Sequence, residues 1–482
     1  MVFSSESFLF LFLPLFLALY YLTPVRFRSL TILAGSYAFY AWWRLDFLGL
    51  LVLTTLWAFG MGRLIGRTRD TRTGRIALGI AVAGCLGVLG VFKYLNFFID
   101  SFAALFGTDA AGLGIHWRLI LPIGISFYVF QAISYLVDVY RGDASPRARL
   151  LDFAAFIALF PQLIAGPILR YKDLEHQFEA RTHTPEKFFE GVARFILGLA
   201  KKVLIADAVA PLADAAFANP EPSFVEAWLG AVAYMIQLYF DFSGYSSMAV
   251  GLGLMMGFRF VENFNTPYIS RSITEFWRRW HISLSVWLRD YLYIPLGGNR
   301  KGTVRTYINL MAVMTLGGLW HGAAWTFVLW GIWHGGILAI ERATGHDKTA
   351  HTRLWSLPLT LLLVLIGWVM FRAEGVGAGL SVYAGMIGLH DLGLDPYVWY
   401  SLSNEAIAVL LLGVVIVAVE PTLLRLYRPS TTPAQDAPSG GATVAATLDR
   451  DALFSFGLCL LATLSVMKLA EQSHSPFLYF QF

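Results

Sequence analysis

Apolar runs long enough to approach a bilayer's width recur along almost the whole chain, separated by short polar breaks. A hydrocarbon core about 30 Å thick asks for about 20 mainly apolar helical residues. Candidate spans are 8–23, 29–43, 47–62, 76–94, 119–140, 188–206, 224–250, 306–322, 323–341, 355–371, 405–424 and 453–470. Leu150–Leu169 differs: Arg147 and Arg149 precede it, Arg170 and Lys172 follow it, and Pro161, Gly166 and Pro167 interrupt it. Basic flanks at both ends predict a re-entrant segment packed within protein rather than a span. The fold class is therefore all-α polytopic membrane protein, a single embedded domain over 1–482 with no internal repeat. Low complexity at Ser430–Ala442 predicts a flexible cytosolic linker at about 430–450, before the last span.

The polar breaks alternate in charge. Arg26 and Arg28, then Arg63, Arg67, Arg69, Arg72 and Arg75, then Arg141, Arg147 and Arg149 mark cytosolic loops, as do Arg342, Lys348 and Arg353, then Arg425 and Arg428. The loop 206–224 carries Asp207, Asp214 and Glu221 without Lys or Arg, and 373–402 also lacks both. This alternation places both termini outside the cytosol. The N-terminus has no basic leader, carries Glu6 and shows no small-residue cleavage site, so it reads as a retained first span.

Composition agrees. The chain is 57% hydrophobic and 14% charged, against roughly 25% charged for soluble domains. A net charge of +4 follows from basic cytosolic loops and needs no nucleic acid. Cys85 and Cys459 lie in apolar runs, which predicts small core residues and no disulfide framework or thiolate metal site. Soluble-enzyme signatures (GxGxxG after a strand, a phosphate-binding loop, GxSxG) are missing from the sequence.

Candidate chemistry is concentrated between Tyr268 and Glu341. Read as one helix, Thr274–Tyr291 puts Phe276, Trp280, Leu284, Trp287 and Tyr291 on one face and Arg278, His281, Ser285 and Arg289 on the other. With Arg279, such a helix belongs at the cytosolic interface or on the wall of a wet vestibule. Either it is a plain interfacial helix with positive-inside arginines, or its cationic face, widened by Arg300, Lys301 and Arg305, receives an anionic cosubstrate near His281. In Gly317-Gly318-Leu319-Trp320-His321-Gly322 the glycines permit a helix break beside a histidine. A desolvated imidazole stays neutral, the form that accepts a proton from an alcohol. A core histidine bonded to a carbonyl is the alternative. Trp333-His334-Gly335 repeats the tripeptide, and no spacing suits a metal. Asp241, Asp138 and Lys93 each cost about 2–4 kcal/mol at mid-bilayer unless compensated. Structural pairing with arginines is the expected role, and shaping an acceptor path the other.

Four stretches carry a resemblance: Asn263–Gly302 (NFNTPYISRSITEFWRRWHISLSVWLRDYLYIPLGGNRKG), LGGLWHGAAW at 316–325, FPQLIAGPI at 160–168 and YFDFSGYSSMAVGLG at 239–253. They resemble the membrane-bound O-acyltransferase family, in the branch of the bacterial alginate O-acetylase membrane subunit. The likeness runs to about Glu341 and thins afterwards. It implies roughly 11–13 membrane helices around a central funnel, with re-entrant and interfacial helices. It implies catalytic roles for His321 and His281, with Trp320, Gly322, Arg278, Arg279, Ser285, Arg289 and Asp241 supporting them or the donor. His334 falls outside both motifs and reads as structural. The span boundaries put His321 near the outer end of a hairpin, whereas the family funnel puts it at the narrow part.

The resemblance further implies a bacterial inner-membrane enzyme with no tightly bound cofactor and no metal. Acetyl-CoA or an acetylated carrier would serve as cosubstrate on the cytosolic side. Periplasmic partner proteins and a polysaccharide acceptor, alginate above all, would complete the transfer. His321 would act as general base or as an acyl-histidine, and His281 would position the donor or stabilise the oxyanion. Cellulose, another exopolysaccharide or a wall polymer are alternative acceptors. A transporter, which would show related halves, and a non-catalytic export scaffold are the readings outside the family.

Overall fold

The structure is a computed structural model describing residues 2–146, 149–349, 353–394, 396, 402–426 and 442–471. Every expected span is helical over most of its length, though the one expected at 119–140 begins only at Ile125, and among the described residues no strand forms. Among the described residues four helices are long and apolar enough to cross a membrane by length and composition: Leu45–Thr68, Arg72–Leu105, Asn404–Thr422 and Ala452–Glu471. The remaining spans are shorter or carry polar groups. Enclosure explains the tolerance, because a helix surrounded by other helices can satisfy polar side chains internally.

Phe224–Met255 is the clearest case, with 32 residues, almost all of them buried. A capping box starts it: Ser223 Oγ accepts from the Glu226 N–H, and the Glu226 carboxylate accepts from the Ser223 N–H. It packs on Pro185–Ala200 at very close range. A Cβ on Gly198 would lie 2.5 Å from the Gly244 carbonyl oxygen, and one on Gly191 2.6 Å from that of Gly251. Small residues seven apart on both helices thus bring the backbones into contact.

The re-entrant reading of Leu150–Leu169 holds. Leu150–Ala158 breaks at Leu159, resumes at Phe160–Leu163 and then leaves the helical state, with residues 153–169 buried. Its two flanks meet: Lys172 pairs with Asp143 at 3.0 Å, and the Ser145 N–H donates to Glu175 at 3.2 Å.

Loops assigned to one side by charge also touch each other. Arg372 pairs with Asp214 at 2.8 Å, and the Phe224 N–H donates to the Asp391 carbonyl at 2.9 Å. At the other end Arg28 donates to His183 at 3.0 Å, and Arg170 pairs with Asp290 at 2.7 Å.

Three expectations need correction, and a fourth lies largely outside the described residues. The loop 206–224 is mostly helix, Asp207–Ala218, continuing from Pro185–Ala206 because Lys202 pairs with Asp207 across the junction. Asp241 and Asp138 pair with lysines rather than arginines, Asp241 with Lys202 at 2.9 Å and Asp138 with Lys172 at 3.4 Å. Cys85 is in the core but Cys459 is exposed. Of the linker, 430–441 lies outside the described residues, and from Ala442 the chain is helical.

Candidate active site

The segment 274–291 is not one helix. Ile273–Arg279 stops, Trp280 is extended, and His281 adopts the left-handed conformation (φ 43°, ψ 54°) before Ile282–Leu288 begins. The break comes from backbone pairing with the preceding loop. The Asn265 N–H donates to the Arg279 carbonyl at 2.9 Å, and the Ile282 N–H to that of Asn263 at 3.0 Å. A left-handed non-glycine residue costs about 1–2 kcal/mol, and Thr266 is the other such residue among those described. The kink turns the imidazole inward. His281 is fully buried rather than on a cationic face with Arg278, Ser285 and Arg289, as one continuous helix required. Phe276, Trp280, Leu284, Trp287 and Tyr291 are nevertheless all buried.

His321 closes the helix Thr303–His321, which turns through an extended Gly322 into Trp325–Thr344. Gly317 and Gly318 do not break it. A Cβ on Gly318 would sit 2.2 Å from the Phe327 carbonyl oxygen, and one on Gly331 2.4 Å from that of Met314. Gly318 and Gly331 serve close packing of the hairpin, and His321 stands at its turn. Glu341, near the hairpin's far end, accepts from the N–H groups of Ile273 (2.6 Å) and Thr274 (2.9 Å). Its carboxylate caps the first half of the broken helix and ties the two histidine-bearing elements together.

The two imidazoles meet. Their ring centroids are 6.1 Å apart, with Trp320 at 5.9 Å from His281 and 5.1 Å from His321. Trp330 and Phe371 flank His321 at 5.2 and 5.4 Å. His281 Nδ1 lies 3.1 Å from Asn263 Oδ1, which also receives the Ser283 N–H at 3.2 Å. An atom that accepts a backbone N–H is the amide oxygen, so Nδ1 carries the imidazole proton and Nε2 holds the lone pair. Nε2 makes no hydrogen bond among the described residues. Neutral His281 is thus an acceptor at its free nitrogen.

A cavity of about 170 Å³ reaches His321 and is lined also by Trp277, Ser285, Arg289, Met314, Gly317 and Trp330. Along Thr303–His321 its lining runs from Leu310 through Val313, Met314 and Gly317 to His321, one helix face about 16 Å long. Its walls are almost wholly apolar, and Arg289 is exposed. Arg289 and Arg170 both pair with Asp290 at 2.7 Å, and Arg141 donates to the Asp290 carbonyl at 2.9 Å. Arg141 in turn borders a polar concavity of about 560 Å³ with Arg69, Arg72 and Arg75, residues the sequence marked only as cytosolic loop signals.

The structure therefore gathers His321, His281 and Trp320, and puts Ser285 and Arg289 on the cavity wall. His281, Trp320, Arg278, Arg279 and Asp241 do not line it. Arg278 is exposed, Arg279 pairs with Glu275 at 2.8 Å, and Asp241 is committed to Lys202. Gly322 is the turn itself, where a Cβ would meet the Phe327 ring at 2.0 Å. Asn263 and Ser283 were missed, although both lie inside the longest motif.

His321 lines an apolar cavity whose wall also holds the exposed Arg289, with His281 packed beside it outside the lining, and such a buried imidazole suits accepting a proton from an acyl acceptor. Comparison with known proteins agrees. The description of the membrane-bound O-acyltransferase family matches residues 144–352. Over the whole of both chains, the protein is 53% identical to "Probable alginate O-acetylase AlgI" of Azotobacter vinelandii and 48% identical to the protein so named in Pseudomonas aeruginosa. It is 36% identical to "Peptidoglycan O-acetyltransferase" of Helicobacter pylori, over 82% of this chain and 81% of that one. The chain belongs to the membrane-bound O-acyltransferase family and is a multi-pass membrane acyltransferase.

Proposed function

We propose that this enzyme sits in a bacterial inner membrane with both termini periplasmic and passes acetyl groups from a cytosolic thioester to an exopolysaccharide, alginate. The observation that carries the reading is the apolar cavity shared by Arg289 and His321, with the His281 ring 6.1 Å from that of His321. The donor is acetyl-CoA or an acetylated carrier, its phosphates held by the basic surface that runs from Arg69, Arg72 and Arg75 through Arg141 to Arg289. The apolar passage admits the neutral thioester arm and excludes bulk water. His321 takes the proton of an acceptor hydroxyl as its oxygen attacks the thioester carbonyl. The tetrahedral oxyanion then collapses to the acetyl ester, expelling a thiolate that recovers the proton from His321. His281, with Nδ1–H bonded to Asn263, orients the attacking hydroxyl through its Nε2 lone pair. Stabilising the oxyanion would instead require a proton there. Periplasmic partner proteins complete delivery to the polymer.

Mass analysis of acetyl groups on secreted polymer and on peptidoglycan, in a deletion strain complemented by wild type or His321→Ala, tests this. Loss of polymer acetylation alone supports it. Loss of wall acetylation alone would move the acceptor to the one named for the Helicobacter relative, and no loss from either would remove the enzyme's role in both.

A further inference from the structure

Lys93 was expected to be paired for structure, yet among the described residues it forms no ion pair. It sits in the helix Arg72–Leu105, where a wide π-turn, Gly90–Tyr94, interrupts the α-helical winding. Such turns recur at functional sites because they re-aim side chains. Here two consecutive side chains reach the end of another helix. The Lys93 ammonium donates to the Trp320 carbonyl, to the His321 carbonyl at 3.4 Å and to Ser126 Oγ at 3.2 Å, while Tyr94 OH donates to the Leu319 carbonyl at 3.1 Å. Those carbonyls belong to the last turn of Thr303–His321, which has no intrahelical partners for them. Gly322 is extended and supplies no glycine cap. The negative end of that helix is therefore the counter-charge of a buried cation, and the residue at the junction is His321. Apolar side chains would have filled the same space without burying a charge.

We propose that Lys93, assisted by Tyr94, is a positioning residue for catalysis: it clamps the peptide of His321 and so fixes where the imidazole stands over the reacting atoms. This rests on the assignment of His321 as the base. Misplacement by about 1 Å costs on the order of a hundredfold in rate.

The test uses membrane vesicles from polymer-producing cells, given cell extract and radiolabelled acetyl-CoA so that a free or carrier-bound thioester can serve. Label entering polymer is measured against acetyl-CoA concentration, per enzyme that elutes as a folded species. Lys93→Met is expected to lower the maximal rate about a hundredfold with the half-saturating concentration unchanged. Lys93→Arg, which keeps cation and donors, restores at least a tenth of the wild-type rate. A Lys93→Met rate within threefold of wild type overturns the proposal, as does an effect confined to half-saturation or an arginine variant no better than methionine. If Lys93→Met does not accumulate, Tyr94→Phe decides: a severalfold lower rate at unchanged half-saturation sustains the clamp, and a wild-type rate overturns it. His321→Ala runs alongside. Full activity there defeats the base assignment and the clamp with it, whereas a dead His321→Ala beside a wild-type Lys93→Met defeats the clamp alone.

Discussion

Trp-His-Gly occurs twice in this chain, at 320–322 and at 333–335, and the two copies have opposite surroundings. His321 ends a helix, sits at a hairpin turn and lines a passage leading to an exposed arginine. His334 lies inside the helix Trp325–Thr344, fully buried, with Trp277 and Trp330 at 5.3 and 5.0 Å and its Nε2 against Gly367. The same three residues thus make a reactive ring in one place and a packing element in the other, and what separates them is access. The pair can be broken experimentally. His321→Ala should lower acetyl transfer per folded enzyme by about 10²–10⁴. His334→Ala should leave that rate within about threefold and lower the thermal midpoint, since it empties a packed aromatic box at a cost of ~2 kcal/mol or more. Equal losses of rate from both variants would erase the distinction.

The next effect in size separates His281 from both. Its proton is fixed on Nδ1 by Asn263, an arrangement that His334, with neither ring nitrogen hydrogen-bonded among the described residues, lacks. Asn263→Ala frees the tautomer and the ring and should cost about tenfold to a hundredfold in transfer. Asn263→Asp keeps an acceptor facing Nδ1 and should cost less. If Asn263→Ala transfers at the wild-type rate, the tautomer has no part in the chemistry.

Much of this was legible in the sequence, for identifiable reasons. Helices set by apolar runs depend on properties of single segments, so they came through nearly intact, including the break at 159–164. The motifs around His281 and His321 carried the site through resemblance. What failed were inferences that needed a partner segment. A helical wheel over 274–291 cannot see the loop 263–265 that breaks the helix at His281. Nor could it see Lys202 beside Asp241, or Lys93 beside the carbonyls at 320–321. Gly317-Gly318 signalled a break because glycine has two uses, and only the facing helix says which one applies.

Those two glycines sharpen the contrast further, because they face different surroundings on one turn. A Cβ on Gly318 would overlap the Phe327 carbonyl oxygen, whereas one on Gly317 would meet only Leu288 Cδ1, at 3.2 Å, on the passage wall. Gly318→Ala should therefore destabilise the hairpin by about 1–3 kcal/mol, read as a lower thermal midpoint. Gly317→Ala should leave stability within about 0.5 kcal/mol and raise the half-saturating donor concentration severalfold. Matching behaviour in the two variants would mean that the passage is not the donor's route.

A fourth histidine supplies the smallest effect and a control for the other three. His183 lies in the loop 180–184, half-buried, outside the spans, where Arg28 and Tyr20 contact its ring. Burial, then the nearby Arg28 and Arg181, hold it at about 4, below the ordinary imidazole value of 6.5. A base whose folded value is depressed favours the fold fully above its unfolded value. That contribution is lost as pH falls from 6.5 toward 4, where the unfolded chain takes up a proton that the folded chain resists. Because the ring is largely solvated, the loss should stay under about 1 kcal/mol. Between pH ~7.5 and ~5 the wild-type thermal midpoint should fall slightly more than that of His183→Gln, while transfer rates of the two stay alike at each pH. A rate that follows His183 rather than His321 would tie catalysis to the loop 180–184 and dissolve the separation between accessible ring and packed ring.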